Sequence, residues 1–247
     1  MQPFNNYREL VQEGERVPEH FLCLVCRNIR PEFWQDRWPA SIRCHCLQQS
    51  QLAEEHRYQV ANIPNRPSKG PSTLEGYSMP GNDEALQAAK EFAQGKPPHI
   101  LVLFGSYGSG KTYLLEAAAR SILEAGGRVH YAMATDLLDA IKGSFSSAAE
   151  TPGQKDTSEL LEFYKAIPVL FLDDLGAERP TAFANERLTS IVDDRYRNEK
   201  RLMVTTNHSF QGLYNTGYER IAERLFDDVT GAARQIQLTG NFRRKEA

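Results

Sequence analysis

The residues with the clearest chemistry form a glycine-rich segment after an apolar run at 100–104. The segment matches the spacing G-x-x-x-x-G-K-[ST], and the run before it is apolar enough for a buried strand. In such a loop the glycines let backbone N–H groups surround a phosphate, the lysine bridges the β- and γ-phosphates, and the last hydroxyl binds Mg²⁺. The segment predicts an ATP site. Its predicted nucleotide-binding residues are Gly105, Ser106, Tyr107, Gly108, Ser109, Gly110, Lys111 and Thr112.

Two adjacent carboxylates follow a second apolar run. Asp173 and Asp174 come directly after 169–172, and ligands of open α/β sheets gather at the carboxyl ends of strands. We expect Asp173 to approach the same Mg²⁺ as Thr112, and Asp174 to orient and deprotonate the attacking water. Because a glutamate is commoner at this second position and aspartate is one methylene shorter, we expect slow hydrolysis.

Three polar side chains nearer the carboxyl end are candidates for completing the site. Asn207 ends a predicted strand, where it either reaches the γ-phosphate or caps a following helix. Arg220 and Arg224 are four positions apart in a helical segment, so they share one face. Either they pair with glutamates on the surface, or they are arginine fingers that complete a neighbouring subunit's site and contribute about 10³-fold or more to turnover.

All four cysteines lie between positions 23 and 46, in two short pairs separated by 17 residues. This spacing is close to that by which Zn²⁺ organises small folds, and it predicts a structural zinc site of four thiolates. The second pair has one intervening residue instead of two, so a histidine is an alternative ligand. The predicted zinc ligands are Cys23, Cys26, Cys44 and Cys46, with His45 or, less readily, His20 in place of one cysteine.

The elements that position these residues alternate between strand and helix, which predicts an α/β fold with a parallel sheet flanked by helices. We expect Asn82 or Asp83 to cap the first helix, and Thr135 or Asp136 to cap the helix after the second strand. Residues 143–158 are small and polar, and they predict an exposed excursion. The predicted strands are 100–104, 128–132, 168–174, 201–207 and 234–238, and the predicted helices end near 94, 124, 166, 197 and 227.

Composition divides the chain into three parts. Residues 1–50 predict a small zinc-binding module that contacts a partner, 51–77 a linker rich in proline, and 78–247 the nucleotide-binding domain. The net charge of -3 restricts any DNA contact to a local region. The chain shows neither a secretory signal nor an apolar run long enough for a membrane span, so we expect a cytoplasmic protein.

The order of these features resembles the AAA+ helicase loaders of the DnaC and DnaI type and the related IstB-type transposition ATPases. The resemblance covers about 73–244, and it rests on Gly105–Thr112, Phe171–Glu178, Val192–Arg197, Val204–Asn207 and Glu219–Leu225. It implies an AAA+ P-loop domain, a sensor role for Asn207, and an arginine-finger role for Arg224 with Arg220 as its helper. It also implies ATP-dependent assembly of a homo-oligomeric ring or spiral on single-stranded DNA.

Further expectations follow from the same resemblance. It implies that 142–147 lies near the DNA, although this stretch reads equally well as a solvated loop, and that Arg243 partly replaces a nucleotide-sensing arginine or belongs to a basic tail. In the loaders the amino-terminal module grips the replicative helicase. The aromatic residues of the module serve either that interface or the module's own core; they are Phe21, Phe33, Trp34 and Trp38.

Three functions are consistent with the sequence. The first is an ATP-dependent helicase loader that binds a replicative helicase through its zinc module and assembles on single-stranded DNA. The second is an ATPase that helps a DNA transposase. The third is an adaptor that binds ATP with little hydrolysis, for which the aspartate at position 174 is the sequence support.

Overall fold

The fold is known here from a computed structural model that describes residues 56–64, 70–147 and 157–240. The predicted zinc ligands, the aromatic residues of the amino-terminal module and Arg243 lie outside these ranges, and the assignments made for them stay predictions. The described residues from 58 onwards belong to one compact unit. No helix within the described ranges is long and apolar enough to cross a membrane.

Five parallel strands form one sheet in the order β2-β3-β4-β1-β5. Strands β1, β3 and β4 are buried along almost their whole length, as continuous apolar runs require when both faces of a sheet are covered. β2 and β5 are the two edges of the sheet. The strands are β1 (Ile100–Gly105), β2 (Val129–Met133), β3 (Val169–Leu175), β4 (Arg201–Thr206) and β5 (Ala233–Leu238).

Seven helices between residues 83 and 225 divide between the two faces of the sheet. The first two pack on one face and the others on the opposite face, so alternate residues of the central strands enter two separate cores. This arrangement confirms the predicted parallel sheet flanked by helices. The helices are α1 (Asp83–Ala93), α2 (Lys111–Glu124), α3 (Ala134–Ser147), α4 (Thr157–Ala166), α5 (Ala182–Arg197), α6 (Phe210–Asn215) and α7 (Glu219–Leu225).

Two predictions about α3 are wrong. The helix begins at Ala134, so Thr135 and Asp136 lie inside its first turn and do not cap it. It also continues to Ser147, which places the first residues of the predicted excursion in a helix. Ile141 and Ser144 are buried there, and the Ser144 hydroxyl donates to the Ile141 carbonyl oxygen at 2.7 Å. Burial of this face extends the helix beyond the point where propensity favours it.

The start of α1 also differs from the expectation. Asn82 occupies the N-cap position, but its side chain makes no hydrogen bond to the helix. It donates to the Thr239 carbonyl oxygen at 2.9 Å and accepts from the Thr239 N–H at 3.1 Å. Asn82 therefore ties α1 to the end of β5, a contact between residues far apart in the chain.

A buried arginine joins the beginnings of two strands to the end of a helix. Arg195 of α5 is fully buried and donates to the carbonyl oxygens of Ile167 at 2.9 Å and Arg201 at 2.7 Å. It also donates to the carbonyl oxygen of Tyr164 in α4 at 2.8 Å. Burial lowers the pKa of Arg195 to about 10, so the guanidinium stays charged at neutral pH. The side chain supplies donors to carbonyl groups that are buried or partly buried.

We predict that Arg195→Met lowers the free energy of unfolding by about 3–5 kcal/mol, because several buried carbonyl oxygens lose their donor. Urea unfolding followed by circular dichroism measures the change. Arg197→Met is the matched control: it lies on the same helix with a side chain 64% exposed, and it costs less than about 1 kcal/mol. Equal losses in the two variants would contradict the role given to Arg195.

Candidate nucleotide-binding site

The glycine-rich loop joins the end of β1 to the start of α2. Gly108 and Gly110 adopt φ values of 73° and 89°, a left-handed conformation that glycine takes without steric cost. The Lys111 ammonium donates to the carbonyl oxygens of Gly105 at 2.9 Å and Ser106 at 2.7 Å. The loop thus folds around the lysine at the amino end of a helix, where backbone N–H groups favour an anion.

A cavity of about 680 Å³ opens at this loop. Its volume falls in the range of small-molecule sites. Residues 107–112 of the predicted phosphate loop line it, together with Asp173, Asp174 and Asn207. The structure therefore places these predicted residues around one cavity at the carboxyl edge of the sheet. The remaining lining residues are Pro64, Ser72, Tyr113, Glu116, Tyr131, Met133 and Thr205.

Asp173 lies at the centre of the site and is only 3% exposed. Its Oδ1 accepts hydrogen bonds from the hydroxyls of Thr112, at 3.0 Å, and Thr205. Its Oδ2 accepts from the hydroxyl of Tyr131 at 2.5 Å. The donors come from α2, β4 and β2, so three different elements hold one buried carboxylate. This arrangement satisfies the hydrogen-bonding capacity that burial would otherwise leave unmet.

The oxygens at this point suit Mg²⁺. The Thr112 hydroxyl and the Asp173 carboxylate are hard oxygen donors, and Mg²⁺ in nucleotide sites is usually held by one or two such groups together with phosphate oxygens. Within the described ranges there is no group of three or more His, Cys, Asp or Glu side chains able to hold a metal. The two oxygen donors of Thr112 and Asp173 fit a metal that also binds phosphate oxygens of a nucleotide.

Asp174 is held beside Asp173 in an uncommon backbone conformation, with φ of 54°. Its N–H donates to the Thr205 hydroxyl at 2.9 Å, and its Oδ1 accepts from the Asn207 amide at 2.8 Å. Burial and the adjacent Asp173 raise the pKa of Asp174, against the opposing influence of Lys111 and Asn207. A carboxyl group with a raised pKa beside a phosphate site is suited to proton transfer.

The alternative role of Asn207 as a helix cap is wrong. Helix α6 begins after Ser209, whose side chain accepts from the Gly212 N–H. Asn207 instead contacts Asp174 and lines the cavity.

Arg220 and Arg224 share a single partner on α5. Arg220 Nη2 lies 2.6 Å from Asp193 Oδ2, and Arg224 Nε lies 3.0 Å from Asp193 Oδ1. The Arg224 guanidinium also lies over the ring of Tyr196 at 4.8 Å from its centroid. The expected alternative of pairing with glutamates is replaced by these bonds to Asp193. Neither arginine lines the nucleotide cavity of its own chain.

Sequence reasoning did not find four residues that shape these sites. Tyr131 and Thr205 hold Asp173, Asp193 holds the two arginines, and the carboxylate of Glu178 accepts from the Gly176 N–H at 3.1 Å in the turn after β3. Thr205 could have been predicted from the sequence, because it lies near the end of a strand next to the one that carries Asp173. The contacts of Tyr131 and Asp193 depend on strand register and helix packing, which the sequence does not display. The contact of Glu178 is local, between residues two positions apart.

Three known proteins that are similar to this chain are consistent with a nucleotide-binding site. A replicative helicase loader DnaC from Buchnera aphidicola is 24% identical over 157 residues, which cover 62% of each chain. A putative ATP-binding protein in an insertion sequence of Mycobacterium tuberculosis is 29% identical over 143 residues, 57% of this chain and 53% of that protein. A solved structure of the replication initiator DnaA bound to AMPPCP and single-stranded DNA matches with a TM-score of 0.57 at 25% identity, over 71% of this chain and 51% of that chain.

The chain spans about three fifths and about half of the length of these two curated relatives. The similarity to the solved DnaA structure identifies an AAA+ P-loop domain, in agreement with the five-stranded parallel sheet and the loop after β1. A family model described as IstB-like ATP binding protein matches residues 87–247. The match covers more than half of the sequence, and the chain belongs to the IstB-like ATP-binding family.

Proposed function

We propose that the protein is an ATPase that loads a replicative helicase onto single-stranded DNA. The observation that carries the proposal is the cavity at the carboxyl edge of the sheet, where a phosphate loop faces Asp173, Asp174 and Asn207. The similarity to a DnaC helicase loader over 157 residues supports helicase loading as the role of this ATPase.

The residues of the cavity suit the parts that phosphoryl transfer requires. Lys111 and the loop N–H groups bind phosphate, and Thr112 and Asp173 hold Mg²⁺, which supplies the positive charge that offsets the charge of the phosphates. Asp174 is fixed by Asn207 at 2.8 Å. In this arrangement Asp174 orients the attacking water and accepts its proton, and Asn207 senses the γ-phosphate.

Among the described residues that line the cavity, Lys111 is the one lysine and there is no arginine. Arg220 and Arg224 lie away from the cavity, with side chains 59% and 30% exposed, and Asp193 holds them on one face. A second copy of the chain that docks with this face against the cavity would supply the missing charge. A repeated contact of this head-to-tail kind produces a ring or a spiral, so we propose ATP-dependent homo-oligomers.

Single-stranded DNA and the helicase are the proposed partners of such an oligomer. The solved DnaA structure holds AMPPCP together with single-stranded DNA, and its fold matches this domain. The helicase contact is assigned to the amino-terminal module with its predicted zinc site at Cys23, Cys26, Cys44 and Cys46. Zinc would organise the fold of that module and take no part in hydrolysis.

The second candidate function is help for a DNA transposase. The similarity to the insertion-sequence protein of Mycobacterium tuberculosis, at 29% identity, favours it. The same ATP site and the same oligomer would serve this function, and only the partner differs.

Substitutions at Asp174 test its position and charge. At pH 7 we expect Asp174→Asn to melt at a higher temperature than the wild type and to bind ATP without hydrolysing it. The raised pKa of Asp174 means that its ionised form weakens the fold above that pKa. The gain in melting temperature should therefore shrink as the pH falls through the raised pKa of Asp174. It should vanish below the pKa that this aspartate has in the unfolded chain.

Asp174→Ala is the matched control. Alanine at a φ of 54° is strained by roughly 1–2 kcal/mol, whereas asparagine tolerates this conformation. The alanine variant should melt below the wild type, as differential scanning calorimetry would show. An asparagine variant less stable than the wild type at pH 7, or either variant with normal hydrolysis, would contradict the assignment.

A mixing experiment tests whether Arg224 acts on a neighbouring subunit. Lys111→Ala and Arg224→Ala should each hydrolyse no ATP alone. An equimolar mixture in which both variants assemble should recover about a quarter of wild-type turnover, because about one site in four combines an intact loop with an intact arginine. Arg197→Ala, which removes another partner of Asp193, should retain activity. Full turnover by Arg224→Ala, or no recovery on mixing, would exclude the shared site.

Affinity capture with a purified hexameric replicative helicase tests the loader assignment. The full-length protein should retain the helicase, and a Cys23→Ser/Cys26→Ser variant should not, because its predicted zinc site loses two thiolates. ATP binding by that variant should remain normal. A wild-type protein that retains no helicase but retains a transposase would replace the loader assignment with the second candidate.

A further inference from the structure

The segment before the nucleotide-binding domain reaches the edge of the sheet. Residues 58–64, called here the strap, begin with the end of a helical stretch at 56–61 and lie against β2. The ring Nδ1 of His130 lies 2.6 Å from the Val60 carbonyl oxygen. The Asn62 amide donates to the Tyr131 carbonyl oxygen at 3.0 Å. The strap thus bonds to one backbone carbonyl and one side-chain ring of the edge strand β2.

Tyr131 contacts the strap and the metal-side carboxylate at the same time. Its backbone carbonyl accepts from Asn62, and its side-chain hydroxyl donates to Asp173 Oδ2. The side chain is only 4% exposed, and β2 pairs with β3 in a register that places Tyr131 opposite Phe171, two residues before Asp173. A shift of the backbone at Tyr131 would therefore move the hydroxyl that orients the carboxylate.

The nucleotide cavity shares part of its wall with the strap. Pro64 lines this cavity, and it also lines a second cavity of about 410 Å³ between the strap and β2. Tyr131 and Met133 line both. The strap, the edge strand and the nucleotide site therefore form one continuous set of contacts.

We propose that Tyr131 is a positioning residue that couples the strap to the Mg²⁺ site through Asp173. The proposal rests on the proposed ATPase function. With the hydroxyl in place, the carboxylate is fixed through both oxygens and keeps its orientation toward the Thr112 hydroxyl. Without it, Oδ2 loses its donor and the carboxylate can rotate. Partners of this kind, behind a metal ligand, usually alter metal affinity by about 10–100-fold.

Coupling between two sites is reciprocal. If strap contacts favour Mg²⁺ at the site, then Mg²⁺ with a nucleotide must favour the strap contacts to the same degree. A partner that pulls on the chain ahead of the strap would weaken metal-dependent nucleotide binding. The coupling thus offers a path by which binding at the amino-terminal side is transmitted to the ATPase site.

The test compares Tyr131→Phe with the wild type, with AMPPCP as the probe. Isothermal titration calorimetry measures AMPPCP affinity in the presence of Mg²⁺ and in the presence of EDTA. The wild type should bind more tightly with Mg²⁺. In Tyr131→Phe this gain should fall about 10-fold or more, with affinity in EDTA unchanged. Tyr164→Phe is the matched control, since it removes another buried hydroxyl beside His130 and should keep the wild-type gain.

Asn62→Gly tests the strap side without altering the lining of the nucleotide cavity. Asn62 has a φ of 53°, which glycine also adopts, so the variant loses only the amide that bonds to Tyr131. It should lower the Mg²⁺-dependent gain in the same direction. Hydrogen exchange should show that AMPPCP with Mg²⁺ slows exchange at 58–64 in the wild type and has no such effect in Tyr131→Phe.

The results distinguish failure of the proposed ATPase function from failure of the coupling through Tyr131. A wild type whose AMPPCP affinity does not respond to Mg²⁺ would overturn the proposed ATPase function and this coupling with it. A wild type that responds, together with Tyr131→Phe and Asn62→Gly variants that respond equally, would overturn the coupling alone. A Tyr131→Phe variant that loses affinity equally in Mg²⁺ and EDTA would also overturn it, because that result indicates general damage to the site.

Discussion

The site depends on the placement of one buried carboxylate, Asp173, at the end of β3. Removing a charge from water is costly unless donors compensate for the lost solvation, and here the hydroxyls of Thr112, Tyr131 and Thr205 provide them. Because these hydroxyls belong to α2, β2 and β4, the carboxylate is satisfied only when the helix and the neighbouring strands are in place. The same contacts that assemble the sheet therefore also position the proposed Mg²⁺ ligand.

The charges around this carboxylate explain why the site suits Mg²⁺ and a nucleotide together. Asp173 and Asp174 are adjacent, and each favours the charged form of Lys111, whose pKa is nevertheless lowered by burial. Burial and Asp173 in turn raise the pKa of Asp174. The carboxyl groups of Glu116, Asp173 and Asp174 line the cavity together with one lysine. The excess of negative charge is one that a divalent cation would offset. The phosphates that accompany the cation then meet the loop N–H groups and Lys111.

The sequence alone predicted the parts of the site whose residues are neighbours in the chain. The loop around Lys111 lies between a buried strand and a helix, and the continuous apolar runs predicted the central strands. It was insufficient where a contact joins distant elements. The hydroxyl of Tyr131 meets Asp173 through strand register, and Asp193 meets Arg224 through the packing of α5 on α7. Both contacts join residues more than thirty positions apart.

Local helix propensity also predicted the wrong helix ends where contacts in the folded domain determine them. Helix α3 starts at Ala134, one residue ahead of the first expected cap, and it continues through small polar residues because Ile141 and Ser144 are buried. Asn82 has the right type and position for a cap, but it bonds to Thr239 instead. The fold class thus follows from periodicity, whereas the precise ends of elements follow from the contacts that the whole domain makes.

In the proposed assembly, the cavity at the end of β1 and β3 is half of an ATP site that a second copy of the chain completes. Electron microscopy of the protein with AMPPCP, Mg²⁺ and single-stranded DNA tests this claim most directly. We predict a ring or spiral in which Mg²⁺ lies between Thr112 and Asp173, and in which Arg224 of one subunit reaches the γ-phosphate bound by the next. Monomers that hold the nucleotide with Arg224 still bonded to Asp193 would contradict it.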